Sequence, residues 1–257
     1  MDIGGSRGIP ALNESESMSI DDYKRAAALK ALEYVTDGMR LGIGTGSTAD
    51  HFTRALGDAV ARGLKVIGVA TSVRTEILAR ECGIPLVDID AAMSLDLTVD
   101  GADEIDSGLR LIKGGGGALL REKITAAASN RVLIIADEAK LVPELGLFPL
   151  PVEVSPFAWK TTARRIRDNL SRFDVGNVAI ALRRTAEHST FVTDGGHYIV
   201  DCDLKRIGDP DGLAAFLKGV PGVMEHGLFI GLASAAIIGG SDVVRIVRPE
   251  GSLFPTY

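Results

Sequence analysis

A chain of 257 residues, 46% of them hydrophobic, can bury one large core and a second smaller one without metals or disulfides. A net charge of −6 gives no basic footprint for nucleic acid, so an anionic ligand has to be held by a local pocket. Cys82 and Cys202 stand far apart and outside any C-x-x-C pair, which excludes a disulfide framework and points to a reducing cytoplasm; no apolar run is long enough to span a bilayer.

Residues 1–18, rich in Gly, Ser and Glu, are expected to be a disordered extension, an expression remnant or sequence upstream of a start at Met18. Apolar strands then alternate with helical patterns, the rhythm of an α/β fold in which helices cover both faces of a parallel sheet. A helix is predicted over 21–35, with Asp21 or Asp22 near its start, and a strand over 39–43. Gly44-Thr45-Gly46-Ser47-Thr48 turns into a helix over 49–62, and a strand over 65–70 ends at Thr71-Ser72 before a helix over 73–81. The apolar run 94–99 reads as a buried strand delivering Asp100 at its carboxyl end, the edge of an open sheet where ligands bind. A helix from Ala118 carries Glu122, and a strand over 131–136 ends in Asp137, with Lys140 shortly after.

Phe148-Pro149-Leu150-Pro151 breaks this rhythm, because two prolines fix the backbone and disfavour helix before them. Beyond it are predicted strands over 152–154, 178–182, 190–193, 198–202 and 223–230 and helices over 161–170 and 212–217, a small split β-α-β module with Asp194-Gly195-Gly196 as a hairpin turn. The chain returns to the first sheet through 232–238 and a strand over 243–247. The expected division is a large domain of 19–147 with 231–257, and a small α+β domain of 148–230.

Gly44-Thr45-Gly46-Ser47-Thr48 opens a helix, where backbone N–H groups lack intrahelical partners and the aligned peptide dipoles favour a phosphate. It has neither the third glycine nor the acid about 20 residues on that a dinucleotide site requires, so no nicotinamide cofactor is expected. Asp100 and Asp103 lie close in sequence to Lys113 and Gly114-Gly115-Gly116-Gly117, so carboxylates, an ammonium and bare backbone amides can meet one anion. Taken singly, each has an ordinary reading: the aspartates as turn caps, Lys113 as a solvated loop lysine, Glu122 between Arg121 and Lys123 as an exposed helix residue. His51, His188, His197 and His226 are scattered without the spacing of a zinc site, so no metal is expected, and His226 reads as a surface or interface residue.

The assembled order of these motifs resembles type A ribose-5-phosphate isomerases. The matching residues are Gly44-Thr45-Gly46-Ser47-Thr48, Val99-Asp100-Gly101-Ala102-Asp103-Glu104, Ile112-Lys113-Gly114-Gly115-Gly116, Arg121-Glu122-Lys123, Ala136-Asp137 with Lys140, Phe148-Pro149-Leu150-Pro151-Val152-Glu153-Val154 and Gly227-Leu228-Phe229. The resemblance implies a Rossmann-like open-sheet domain with a smaller ferredoxin-like α+β domain inserted toward the C-terminal half. It implies an aldose–ketose isomerase of the non-oxidative pentose phosphate pathway that interconverts ribose 5-phosphate and ribulose 5-phosphate through an enediolate, with no cofactor and no metal. It also implies a homodimer or homotetramer, which the apolar region 219–231 would suit. Carried over by position, Glu122 matches the general base and Asp100, Asp103 and Lys113 the other catalytic groups. Lys24, Thr45, Gly46, Ser47, Thr48, Gly101, Ala102, Gly114, Gly115, Gly116 and Lys140 match the substrate-binding residues. The chain departs from the family at the turn 193–197, which has glycine where asparagine is frequent, and at Gly117, one glycine more than usual.

In this reading Glu122 removes the proton beside the carbonyl, its pKa raised by burial over Leu119 against the pull of Arg121 and Lys123. Lys113 and the glycine amides stabilise the developing oxyanion, Asp100 opens the ring and moves protons between oxygens, and Asp103 orients Lys113 or a water. Two readings from other classes use the same scaffold: a non-catalytic sugar-phosphate sensor, and an acyl-CoA transferase with a glutamate nucleophile, which would need CoA and form a covalent adduct.

Overall fold

The structure, a computed structural model, describes residues 18–241 and 243–249; the expected N-terminal extension, apart from Met18, and residues 250–257 lie outside the described residues. The chain runs through α1 (Ile20–Leu32), β1 (Arg40–Ile43), α2 (Ser47–Ala61), β2 (Ile67–Ala70), α3 (Val73–Glu81), α4 (Ile89–Ala92) and β3 (Leu97–Asp100). It continues through β4 (Glu104–Ile105), β5 (Leu111–Ile112), α5 (Leu119–Ala127), β6 (Val132–Asp137), β7 (Leu150–Val154), α6 (Trp159–Leu170), β8 (Ala179–Leu182) and β9 (Tyr198–Asp203). It ends with α7 (Pro210–Lys218), β10 (Val223–His226), β11 (Leu228–Phe229), β12 (Ala235–Gly239) and β13 (Val244–Val247).

The six-stranded sheet has the order β13-β12-β6-β3-β1-β2, parallel throughout except for the antiparallel edge strand β13. Its central strands are buried on both faces, which is why they read as continuous apolar runs. Alternation along β6 sends Leu133 and Ile135 to one side, with Leu41, Ile43, Val99, Phe52 and the alanines of α1, and Val132, Ile134 and Ala136 to the other, with Ala236, Ile238, Ala126 and Phe229. On α1, Ser19 and Asp22 form a reciprocal capping box, and Ala27, Ala28 and Ala31 make the face that lies on the sheet. Because β1 connects outward to β2 while β3 connects the other way to β6, the loops leaving β1 and β3 diverge and open a crevice between their carboxyl ends.

The four-stranded sheet, β10-β7-β9-β8, is antiparallel and packs against α6 and α7 through Val152, Val154, Val200, Ile166, Leu170, Leu213 and Leu217. A three-stranded antiparallel sheet, β11-β5-β4, takes β4 and β5 from the segment between β3 and β6 and β11 from the segment between β10 and β12. Its two-residue strands carry too few residues for a period to be visible; the sequence reading missed β4 and β5, together with α4, and ran β11 into one strand with β10.

Three expectations are corrected. Residues 190–193 form no strand: after one bridge between Arg184 and Thr190 the segment leaves the ladder, and the Phe191 ring turns onto the glycine run. The strand predicted over 223–230 is two strands in different sheets, broken at Gly227, whose N–H donates to Pro151 O while its carbonyl accepts from Lys113 N–H. His226 is buried instead of lying at the surface; in the apolar region 219–231 Val220, Leu228 and Phe229 are buried while Met224 is exposed.

Candidate active site

Four parallel strands bring their carboxyl ends to one edge, and four polar segments follow them: Gly44–Thr48 after β1, Thr71 and Ser72 after β2, Asp100–Asp103 in β3 and beyond, and Asp137–Lys140 after β6. At the crevice between β1 and β3 lies a cavity of about 130 Å³. Its lining comprises Lys24, Thr45, Gly46, Ser47, Thr48, Gly101, Ala102, Asp103, Lys113, Gly114, Gly115, Gly116, Glu122 and Lys140. Thus every site residue expected from sequence reaches the cavity wall except Asp100, which sits directly behind Lys113.

Lys113 is the hub. Its Nζ lies 3.0 Å from Asp100 Oδ2 and 3.3 Å from Glu122 Oε2, and donates to Gly101 O at 2.6 Å. Asp100, Lys113 and Glu122 are 2%, 3% and 4% exposed, so the ordinary readings of a solvated loop lysine and an exposed helix glutamate do not hold. Asp100 is fixed through its other oxygen, which accepts from Thr45 N at 3.1 Å and Gly101 N at 2.7 Å. Lys113 is delivered by β5, and its own N–H is held by Gly227 O at 2.9 Å.

Glu122 is buried because of its place on α5: Leu119, Glu122, Lys123 and Ala126 follow the three-four spacing of one helix face. Burial pushes its pKa up to about 8, with Lys113 pulling it down and Asp100 and Asp103 adding to the rise. The expected pull from its sequence neighbours has a different source in the fold. Arg121 turns to Asp194, and Lys123 donates to Glu225 Oε1 at 2.8 Å, His226 O at 2.6 Å and Leu228 O at 2.9 Å. Burial would lower Lys113, but the charges of Asp100 and Glu122 outweigh it and hold the ammonium above the ordinary lysine range. Glu122 Oε2, although paired in charge with Lys113, accepts no well-formed hydrogen bond among the described residues. A buried, part-protonated carboxylate with an uncommitted oxygen at a cavity wall is equipped to take a proton from carbon.

The turn after β1 divides its work. The Thr45 hydroxyl is consumed by Thr71 (2.8 Å), Ser72 (2.8 Å) and Thr75 (3.0 Å), a hydroxyl network that ties β1, β2 and α3 together. What remains for a ligand is the opening turn of α2, where Gly46 is the N-cap without a side-chain bond and Ser47 is exposed. Gly44 admits no side chain, since a Cβ there would sit 2.2 Å from Asp100 Oδ1 and 2.5 Å from Asp100 Cα. Gly44→Ala is therefore expected to cost about 1–3 kcal/mol by overpacking. A lowered thermal midpoint together with weakened catalysis would mark it. Gly114 takes φ +104, which places the next amide so that Gly115 N–H reaches Asp103 Oδ2 at 2.7 Å. Asp103 thus holds the glycine run instead of bonding Lys113.

Residues 67–243 match the family of ribose 5-phosphate isomerase A (phosphoriboisomerase A). The ribose-5-phosphate isomerase A of Bradyrhizobium diazoefficiens is 55% identical over 240 residues, covering 91% of this chain and 100% of that one. The chain belongs to the ribose 5-phosphate isomerase A family. Among solved structures, a D-ribose-5-phosphate isomerase in complex with phospho-erythronic acid superposes with a TM-score of 0.83 at 37% identity, over 90% of this chain and 100% of that one. Ribose 5-phosphate isomerase from Plasmodium falciparum gives 0.84 at 34% identity, over 90% and 99%.

The buried triad of Asp100, Lys113 and Glu122 marks the small cavity as the candidate site. A larger cleft of about 460 Å³ borders α5 at Arg121, Ile124 and Thr125, but its charged groups, Glu76, Arg80 and Asp88 among them, include none of the buried triad. Two features of the isomerase site escaped the sequence reading. The Phe229 ring lies 5.4 Å from Lys113 Nζ and 4.8 Å from Lys123 Nζ, and its face offsets part of the desolvation that pushes Lys123 down to about 8. The hydroxyls of Thr71, Ser72 and Thr75 were visible as a cluster after a strand, but nothing local tied them to Thr45. Among the described residues no helix is long and apolar enough to cross a membrane, and no group of three His, Cys, Asp or Glu side chains is arranged to hold a metal ion.

Proposed function

We propose that Glu122 is the carbon base of an aldose–ketose isomerase interconverting ribose 5-phosphate and ribulose 5-phosphate. The observation that carries this reading is Lys113 Nζ standing between the carboxylates of Asp100 and Glu122, all three buried, at a cavity whose far wall is a phosphate-type turn. The phosphate rests on the opening turn of α2 and is approached by Lys24 and Lys140. Asp100 serves ring opening and proton transfer between the two oxygens, Glu122 carries the proton between the two carbons, and Lys113 with the glycine amides faces the enediolate charge. Asp103 acts through the glycine run, which it holds by Gly115 N–H.

The strand order β2-β1-β3-β6 supports a Rossmann-like large domain, and β10-β7-β9-β8 with its two helices supports a ferredoxin-like small domain over 148–230. A cytoplasmic setting and assembly into a dimer or tetramer complete the proposal; sedimentation of the purified chain as a monomer would remove the latter.

Incubation with ribose 5-phosphate, with and without chelator, is expected to yield ketose at the same rate in both. No turnover but tight binding would favour the sensor, and turnover only with CoA the transferase. The active form of the base is the carboxylate, and its pKa lies near 8, so kcat/KM is expected to rise with pH up to about 8 and then level. Asp100→Asn removes a negative charge that raises Glu122 and frees Lys113 to pair with it. Its acid limb is expected to move to lower pH while the plateau falls. An unmoved limb would show that Glu122 is not the titrating base.

A further inference from the structure

Arg183, which directly follows β8 at the edge of the four-stranded sheet, reaches across to the glycine run 69 residues earlier. Its guanidinium is gripped from β9 by both oxygens of Asp201: Nε donates to Oδ2 at 2.9 Å and Nη2 to Oδ1. The remaining prong, Nη1, donates to Gly114 O at 2.8 Å and Gly115 O at 3.1 Å. The Phe191 ring packs beneath, 5.8 Å from the guanidinium carbon and against Gly117, where a Cβ would come within 2.4 Å of the ring.

Four consecutive glycines have no side chains to fix the planes of their peptides; one turn bond inside the run, from Gly117 N–H to Gly114 O at 3.0 Å, leaves the Gly115 carbonyl to be held from outside. In a trans peptide the carbonyl and the following N–H point in opposite directions, and the described chain has no cis peptide. Drawing the carbonyls of Gly114 and Gly115 toward Arg183 therefore turns the N–H groups of Gly115 and Gly116 the other way. Gly115 N–H meets Asp103. Gly116 N–H, which has no partner among the described residues, is left for the cavity that Gly116 lines.

We infer that Arg183, braced by Asp201, is a positioning residue that fixes the peptide planes of the glycine run and so aims Gly116 N–H at the substrate oxygen that gains charge during isomerisation. The inference rests on the isomerase reading above. Arg183 does not line the cavity and acts only through the backbone. Its planar fork is what the job requires, since a lysine cannot hold Asp201 with two prongs while bonding two carbonyls with a third.

The test compares the full-length protein with Arg183→Met and Arg183→Lys, measuring kcat and KM for ribose 5-phosphate, inhibition by phospho-erythronic acid, inhibition by inorganic phosphate, and the thermal midpoint. The carboxylate of phospho-erythronic acid imitates the charge of the enediolate, whereas inorganic phosphate reports only the α2 turn. Losing an aligned oxyanion donor costs about 10²-fold in kcat. Arg183→Met is expected to lose about that factor in kcat, and phospho-erythronic acid to weaken by a similar factor, while KM and phosphate inhibition stay within about threefold. Arg183→Lys is expected to fall between. Unchanged kcat, a change confined to KM, a lowered thermal midpoint with kcat intact, or failure of both variants to fold would each overturn the inference. Absence of turnover in the unsubstituted protein would sink the isomerase reading itself, a distinct outcome.

Discussion

Glu122→Gln is expected to bind ribose 5-phosphate with KM changed by no more than a few fold, yet to lose turnover and the exchange of the C2 proton with solvent together. The side chain keeps its size and its place on the buried face of α5, so the cavity and the α2 turn that receives the phosphate are undisturbed. What is removed is the basic lone pair that Glu122 brings to the cavity wall. General acid–base groups contribute about 10²–10⁴-fold, and here the same group serves both carbons, so the loss in kcat belongs at the upper end. Stability should move the other way. The folded pKa of Glu122 lies above its unfolded value near 4.5, so the native state binds more protons between pH 4.5 and 8. The residue accordingly costs stability as pH rises through that window, and the full cost is present above about 8. A neutral amide removes that cost, so at pH 8 to 9 the variant is expected to melt at or above the parent's temperature. Proton exchange followed by NMR in D₂O together with a thermal scan checks both halves. Undiminished turnover would refute the base assignment.

How much of this was legible beforehand depended on how local each feature is. The strand leading to Asp100, the turn before α2 and the helix carrying Glu122 are short-range patterns, and all three are where the sequence put them. Taken singly, Glu122 reads as an exposed helix residue because Arg121 and Lys123 flank it. The Leu119, Glu122, Ala126 spacing already places it on the apolar face, though, with the charges of its neighbours directed elsewhere. The pKa argument named the wrong partners because adjacency in sequence does not bring charges together: Arg121 turns to Asp194, Lys123 is buried on the same face but taken up by Glu225 and the carbonyls of His226 and Leu228, and the decisive charge, Lys113, comes from a loop. Features built from distant pieces stayed hidden. β4, β5 and β11 are two-residue strands that exist only by pairing with one another. Gly227 breaks an apolar run into two sheets because its backbone is shared by Lys113 and Pro151, which no local propensity encodes. His226 joined an apolar segment as an apparent surface residue. It is buried beside Lys123 and Glu225, and burial with the Lys123 charge pushes its pKa down to about 3 and keeps it neutral.

Replacing Lys113 should act on rate, on pH dependence and on stability at once, because one ammonium serves two buried carboxylates. In the resting site its Nζ donates to Gly101 O and is ion-paired with Asp100 and Glu122. In the proposed mechanism Glu122 becomes neutral when it takes the carbon-bound proton, and its hold on Lys113 weakens at the moment negative charge appears on the substrate oxygen. Lys113 is thus released toward the enediolate by the same proton transfer that creates it, an electrostatic contribution larger in the transition state than in the bound substrate. Lys113→Met keeps the length of the stem and its contact with Phe229 but deletes the charge. We expect kcat to fall by at least about 10²-fold with KM nearly unchanged. Without the ammonium nothing offsets burial and Asp100 at Glu122, so its pKa climbs further and the acid limb of kcat/KM moves to higher pH, opposite to the shift expected for Asp100→Asn. Leaving two buried carboxylates facing each other costs about 3–5 kcal/mol while both are charged, and less as pH is lowered and Glu122 takes up a proton, so the variant should regain stability on acidification. Steady-state profiles and thermal scans across the same pH series test the three effects together. A loss confined to KM would make Lys113 a binding residue, and a limb that moved down instead of up would show that the ammonium does not govern the base.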